Sequence, residues 1–340
     1  MKILLRLSIF FFLLASCGSQ QETANAELQD PDFTIAFGSC NKQDEKQPLW
    51  RPILKNEPDV FVWGGDNIYA DSRNMKEIEA GYKEQKKNKN YQKMLASVEV
   101  MGTWDDHDYG KNDGGAAWEY RDESQQLFLD FFNVPEDSER RDRRGVYEAQ
   151  TFKTEEGSLK IISLDTRYFR TPLKKSDDPD KRYEPSEGDM LGAEQWQWLE
   201  QELVNSEADF NVIMSSIQVL SKEHGFETWG NFPDEVEKLK SIIRYSGAKN
   251  VILLSGDRHI SEFSKTEVDG LGYPLIDFTS SGLTHVYEEF SGEPNQYRVG
   301  KVVNKISFGL LKFDFDKGLV LMEMRGKKNR LLQEYRQIYP

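Results

Sequence analysis

The sequence predicts an α/β layered fold built around two sheets. Three observations predict it. Apolar runs of strand length recur along the chain, amphipathic helices alternate with them, and after residue 274 the pattern is strands only. The hydrophobic share of 38 % and aromatic share of 12 % over 340 residues exclude general disorder and suffice for a large core. A formal net charge of −14 argues against a nucleic-acid binder or a clamp on an anionic membrane. Any metal or anion site must therefore be built locally.

The first residues read as an address. Lys2 and Arg6 bracket a charged start, and Leu7 to Ala15 is almost wholly apolar but too short to span a bilayer. Leu14-Ala15-Ser16-Cys17 then resembles a bacterial lipoprotein signal, the alternative being a plain secretory signal with an incidental cysteine. The expectation is a signal peptide over 1–16, a flexible tether over 17–30 and one domain over 31–340. The protein is then exported and held at the cell envelope only by a lipid on Cys17. Cys40 is the other cysteine. An unpaired thiol in an exported protein is either buried as a small hydrophobe or a metal ligand.

The predicted strands share a feature at their ends. Phe33–Phe37 runs into Gly38-Ser39-Cys40, and Val60–Trp63 into Gly64-Gly65-Asp66-Asn67. Val98–Thr103 runs into Trp104-Asp105-Asp106-His107-Asp108, and Leu159–Leu164 into Asp165-Thr166-Arg167. Phe210–Met214 ends in Ser215-Ser216, and Val251–Leu254 in Ser255-Gly256-Asp257-Arg258-His259. Nearly continuous apolar strands are buried on both faces, and an α/β sheet places its site at their C-terminal ends. Helices are predicted over Trp118–Phe132, over Gly192–Val204, and from Pro233 to a stop at Gly247. Leu275–Thr279, Ile306–Phe315 and Leu319–Met324 complete the second half of a two-sheet core. Ser72–Lys93 and Glu136–Arg144 are highly charged and read as solvated faces.

Asp-Asp-His-Asp at 105–108 is the most informative segment: four polar groups leaving an apolar strand conflict with burial unless something charged satisfies them. With Cys40, Asp66, Asn67, Tyr69, Asp257 and His259, the strand ends supply the ligands and proton donor that a dinuclear hydrolytic centre needs.

The segments Phe-Gly-Ser-Cys at 37–40, Gly-Asp-Asn-Ile-Tyr-Ala-Asp at 65–71, Thr-Trp-Asp-Asp-His-Asp at 103–108 and Ser-Gly-Asp-Arg-His at 255–259 resemble the alkaline phosphatase D (PhoD-like) family of calcineurin-like metallophosphoesterases. Leu-Asp-Thr-Arg-Tyr at 164–168 and Ser-Ser-Gly-Leu-Thr-His at 280–285 extend the likeness, which covers about residues 33–325. The resemblance implies a four-layer α/β/β/α sandwich that hydrolyses phosphate monoesters or diesters by in-line attack of metal-activated water. It implies iron with calcium as cofactors, manganese or zinc being the substitutes. Asp66 matches the bridging carboxylate, and Cys40, Tyr69 and His259 would complete an iron site, since thiolate and phenolate favour a highly charged metal. Asp106 and Asp257, with Asn112 as a further ligand, suit a hard cation such as calcium. Spacing leaves Asp105 and Asp106 as rivals for one role.

His107 aligns with the histidine that protonates the leaving oxygen; its plainer reading is a hydrogen bond to a carboxylate. Arg258 and Arg167 are candidate phosphate contacts, Arg167 being equally readable as a buried ion pair. His285 is placed near the pocket and His224 in a polar loop, and Gln218 lies near where many superfamily members have a histidine ligand. Two further functions stand beside the phosphoesterase: a surface lipoprotein that binds without turnover, and a phospholipase C-like enzyme. The polar character of the 168–190 and 220–233 loops favours soluble or polymer-derived esters over the latter.

Overall fold

The computed structural model describes residues 30–340. The signal peptide, Cys17 and all but the last residue of the tether lie outside the described residues. In chain order the elements are β1 (Phe33–Gly38), α1 (Trp50–Leu54), β2 (Val60–Gly64), α2 (Met75–Lys87), α3 (Lys89–Leu95), β3 (Glu99–Thr103), α4 (Asp106–Tyr109) and α5 (Arg121–Phe131). There follow β4 (Glu148–Lys153), β5 (Ser158–Ser163), α6 (Gly192–Val204), β6 (Phe210–Met214), α7 (Pro233–Ser246), β7 (Val251–Ser255), β8 (Ser261–Thr266) and β9 (Leu275–Ser280). The chain closes with β10 (Arg298–Val303), β11 (Ser307–Asp314), β12 (Leu319–Gly326) and β13 (Arg330–Ile338).

Alternation along the central strands sets the layers. Ile35 and Phe37 of β1, Val60 and Val62 of β2, Val212 and Met214 of β6 and Ile252 and Leu254 of β7 all enter one core between the sheets. Their neighbours face outward: Ala36, Phe61 and Trp63 pack with Trp50, Ile78, Tyr82, Tyr91 and Phe128 from the helices of one side. Ile213, Val251 and Leu253 pack with Trp196, Leu199, Leu239 and Ile243 of α6 and α7 on the other. Both faces of these strands are thus covered, which is why they read as continuous apolar runs. The result is the four-layer α/β/β/α sandwich.

One sheet has the order β13-β12-β11-β1-β2-β3 and the other β10-β8-β9-β7-β6-β5-β4. β1, β2 and β3 are mutually parallel, as are β5, β6, β7 and β9. Their C-terminal ends therefore collect at one edge of the sandwich, where a bridge between Ser39 and Ser281 joins the two sheets.

The predicted helices at 192–204 and 233–246 are present, the latter closed by Gly247 at φ 78°. Ser72–Lys93 departs from the solvated reading. It forms α2 and α3, whose Ile78, Tyr82, Tyr91 and Met94 are buried, while the lysines face water. In Glu136–Arg144, Arg140 pairs with Glu148 at 2.7 Å and Arg141 with Asp130 at 2.8 Å, so that loop is fastened to its surroundings.

Phe278 of β9 lies at the centre of the inter-sheet core, edge-on to Phe37 at 4.8 Å and 4.4 Å from Phe263. Phe278→Ala is expected to lower unfolding free energy by about 3–5 kcal/mol, read from the urea midpoint at unchanged m.

Candidate active site

The edge where the parallel strands end carries sharp turns and, after β3, the one-turn helix α4. Cys40, Asp66, Asp257 and His259 all have left-handed backbones, at φ 59°, 50°, 65° and 53°. Such conformations strain residues with a Cβ and persist only where the surroundings enforce them. The enforcement is visible in the backbone: Cys40 N–H donates to Gly65 O at 3.3 Å and Asn41 N–H to Asp66 O at 2.9 Å. Gly65 at φ 91° passes so close to Asp105 that a Cβ there would sit 2.5 Å from the Asp105 Cβ. Gly256 packs as tightly, a Cβ there coming within 2.5 Å of Gly64 O. Gly65 thus lets the end of β2 close on the segment after β3, and Gly256 lets the end of β7 close on β2.

These turns bring most of the predicted donors to one place. The Cys40 thiol lies 3.4 Å from Asp66 Oδ2, and the Tyr69 hydroxyl donates to the same oxygen at 3.0 Å. Tyr69 Oη is 2.9 Å from His259 Nε2. Ligand atoms of Cys40, Asp66 and His259 form one compact group, those of Asp66, Asp106 and His107 a second, and those of Asp105, Asp106 and Asp257 a third. Asp66 is common to the first two groups. Asn112 is exposed at the rim of the same cleft, which encloses about 230 Å³.

The electrostatics of the cluster show what it lacks. Burial pushes Cys40, Asp66, Tyr69 and Asp257 all well above their ordinary pKa ranges, and neighbouring acids add to the effect. Oδ2 of Asp105 and Oδ1 of Asp106 are buried without a hydrogen-bond partner. Orphaned oxygens and crowded acidic donors of thiol, phenol and carboxyl type fit cations, which would satisfy the oxygens and favour the deprotonated donors. Asp105 and Asp106 differ in their partners, although both belong to the group with Asp257. Asp105 Oδ1 accepts from Arg167 Nε and from Ser216 Oγ, both at 2.6 Å, whereas Asp106 shares donor groups with Asp66 and Asp257.

His107 lies beside this cluster. Its Nδ1 is 2.5 Å from Asp71 Oδ2, and its ring stacks on Tyr69 at 4.1 Å. Burial disfavours the imidazolium, but Asp66 and the Asp71 hydrogen bond outweigh it and push its pKa up to about 11. His285 packs edge-on to His259 at 4.4 Å and to Tyr69 at 5.0 Å, behind the donors. His224 is buried, its Nδ1 accepting from Phe226 N–H at 3.2 Å. Gln218 is fully buried and donates to Glu262 and Thr279, both at 2.8 Å.

The two arginines are placed differently, and for Arg167 the structure shows the buried ion pair and not a cleft contact. Arg167 has no exposed surface, and it pairs with Asp105 at 2.5 Å and Glu227 at 2.6 Å. It is a buried counter-charge under the cleft and does not line it. Arg258 does line the cleft, but its Nη2 is clasped by both oxygens of Glu293 at 2.7 and 2.8 Å. The sequence reading also missed several residues at the cleft. Asp71 orients His107, Asp113 donates its N–H to Asp106 Oδ2 at 2.6 Å, and Glu227 bridges Arg167 and Arg170. Arg182, Phe226 and Tyr287 form the outer wall. Asp71 stands inside the quoted 65–71 motif; the others come from loops whose sequences give no local signal.

A four-layer sandwich with an acidic, cation-fitting cluster at the strand ends defines the metallophosphoesterase fold class. The family model for PhoD-like phosphatase matches residues 35–305, and the chain belongs to that family. Alkaline phosphatase D of Bacillus subtilis (strain 168) is 23 % identical over 286 residues, which cover 70 % of this chain and 48 % of that protein. The chain thus spans about half the length of this relative. The solved structure of PhoD matches with a TM-score of 0.71 at 17 % identity, covering 91 % of this chain and 69 % of that one. A dimetal phosphatase from Danio rerio matches at 0.57 and 13 % identity, covering 92 % and 100 %. GAP50, the anchor in the inner membrane complex of Plasmodium, matches at 0.60 and 11 % identity, covering 92 % and 90 %. At these identities the structural likenesses concern the fold.

Arg167→Met would strip the buried Asp105 of its counter-charge and leave Glu227 with Arg170 alone. We expect a loss of about 3–5 kcal/mol in unfolding free energy, measured by urea denaturation. A substrate contact at Arg167 would instead cost activity and leave stability unchanged.

Proposed function

We propose that this protein is a metal-dependent phosphoesterase that hydrolyses phosphate monoesters, diesters or both, exported and attached to the bacterial envelope by a lipid on Cys17. The observation that carries the reading is the convergence of the Cys40, Asp66, Tyr69, Asp106, Asp257 and His259 donors at the strand ends of both sheets. Cys40, Asp66, Tyr69 and His259 would hold one cation, the thiolate and phenolate favouring trivalent iron. Asp66, Asp106 and Asp257, with Asn112 at the rim, would hold a second, their oxygens suiting calcium. When bound, the cations supply Lewis-acid polarisation of the phosphate and acidify water. No helix among the described residues is long and apolar enough to cross a membrane, and the attachment proposed here rests on Cys17 alone.

His107 is the proton donor in this reading. With Nδ1 engaged by Asp71, Nε2 is the nitrogen left to protonate the leaving oxygen. Asp71 both fixes the ring and favours the imidazolium, as a general acid requires at alkaline pH. Tyr69 stacks on one face of the ring. The charged residues Lys174, Lys175, Asp177, Asp178 and Lys181 of the loop beside the cleft suit water-soluble or polymeric esters over a lipid surface.

The test is hydrolysis of 4-nitrophenyl phosphate and bis(4-nitrophenyl) phosphate by the metal-loaded protein. Asp66→Asn is expected to leave less than about 1 % of turnover with the circular dichroism spectrum unchanged. Retained turnover in that variant contradicts the assignment.

The pH profile gives a second check. Catalysis that needs protonated His107 declines as pH rises through its pKa. Asp71→Asn removes a group that raises this pKa, so the alkaline limb is expected to move to lower pH by about one unit.

A further inference from the structure

Four carboxylates, Asp106, Asp113, Glu227 and Asp257, line the cleft, so a phosphate anion entering it needs a positive partner. The guanidinium groups among the lining residues are those of Arg182 and Arg258. Arg258 is only 6 % exposed, clasped by Glu293, and packed 4.2 Å above the Phe226 ring. Its Nη2 is committed to Glu293 and its Nε is buried without a hydrogen-bond partner, so its head is fixed in the wall and cannot swing to meet a substrate without leaving Glu293.

Arg182 is held differently. Its side chain is 52 % exposed, and its one ion pair, Nη1 to Asp113 Oδ2, is 3.2 Å long. Its guanidinium lies 5.2 Å from the Phe226 ring centre, an exposed cation–π contact of small energy. Its backbone, by contrast, is fixed. Arg182 N–H donates to Gly225 O at 2.8 Å, Ser176 N–H donates to Arg182 O at 3.2 Å, and Lys175 bridges to Tyr183. Next to it, the Tyr183 hydroxyl donates to Asp113 Oδ2 at 2.5 Å, so Asp113 keeps a partner when Arg182 leaves. A fixed stem, a loosely parked head and a carboxylate with a second donor together describe a group able to turn inward.

Resting on the phosphoesterase reading above, we propose that Arg182 is the side chain that binds the phosphate of the substrate, with Asp113 as its resting partner when no anion is bound. No bond is made or broken in this step: the guanidinium exchanges one carboxylate oxygen of Asp113 for oxygens of the phosphate, whose geometry its planar fork matches. Phe226 steers the head across the mouth of the cleft. The 172–189 loop thereby takes part in substrate recognition, although none of its residues reaches the donor cluster.

The experiment compares wild type, Arg182→Gln and Arg182→Lys as metal-loaded protein, with Asp66→Asn as the blank. The readouts are KM for 4-nitrophenyl phosphate and bis(4-nitrophenyl) phosphate, inhibition by inorganic phosphate, and melting temperature. Arg182→Gln is expected to raise KM and the phosphate inhibition constant about tenfold or more, with little change in kcat or melting temperature. Arg182→Lys keeps the charge but loses the fork, and should fall between the two. KM and inhibition constants within twofold of wild type overturn the proposal. So does a lower melting temperature with unchanged KM, which would make Arg182 a strut of the loop. Absence of turnover in the metal-loaded wild type overturns the phosphoesterase reading instead. Calorimetry of inorganic phosphate binding then still compares wild type with Arg182→Gln, and equal affinities overturn the Arg182 assignment.

Discussion

Buried negative charge at the joined ends of two sheets is the constraint on which the rest of this molecule depends. Parallel strands deliver Cys40, Asp66 and Asp257 to one edge, and the turn after β3 adds Asp105, Asp106 and Asp108. Each of these groups would be costly to bury alone, and together they repel one another. The fold answers in part from within. Arg167 and Arg170 lie completely buried beneath the cluster, paired with Asp105 and Glu227. Asp108 takes the Asp105 and Asn67 N–H groups and the Asn67 amide, which holds the turn in shape. What remains uncompensated is the face toward the cleft, where Asp106 Oδ1 has no protein partner. Four left-handed non-glycine residues, Cys40, Asp66, Asp257 and His259, gather at this edge.

The cysteine illustrates how setting decides role. Cys40 is fully buried, 3.0 Å from Ser281 Oγ and 3.4 Å from Asp66 Oδ2. A thiol packed as a hydrophobe would touch carbon; this one faces oxygen donors and acceptors on several sides. Burial and the charge of Asp66 oppose its ionisation, so it becomes a thiolate only if something positive joins the cluster. The same reasoning covers Tyr69, whose hydroxyl faces Asp66 and His259.

Much of this was legible in the sequence because the central strands are buried on both faces and their polar ends are therefore conspicuous. The runs at 33–37, 60–63, 210–214 and 251–254 all became strands with the predicted residues at their ends. Strands of mixed polarity were not legible, whereas β3, although at a sheet edge, was. β4, β10 and β13 lie at sheet edges with mixed burial, and β8 buries Glu262 only because Gln218, Asn295 and Arg298 reach it from distant segments. In α2 the inward stripe is Ile78, Tyr82 and Gln85, and with glutamine as its third member the charged residues dominate the composition. At the site the pattern repeats. The donors on strand ends could be read, whereas Asp113, Arg182 and Glu227 come from loops and meet the cluster only through the fold. Arg167 has the reverse history: its motif pointed to the site, but its side chain turns beneath it.

The central claim is that these strand ends form a cation site with Cys40 as a direct ligand. X-ray absorption at the edge of the bound metal in the purified full-length protein tests it most directly. The account predicts a shell of oxygen and nitrogen neighbours with a sulfur at about 2.3 Å, and loss of that sulfur in Cys40→Ser. A stoichiometric metal with no sulfur neighbour, or a spectrum unchanged in Cys40→Ser, would contradict it.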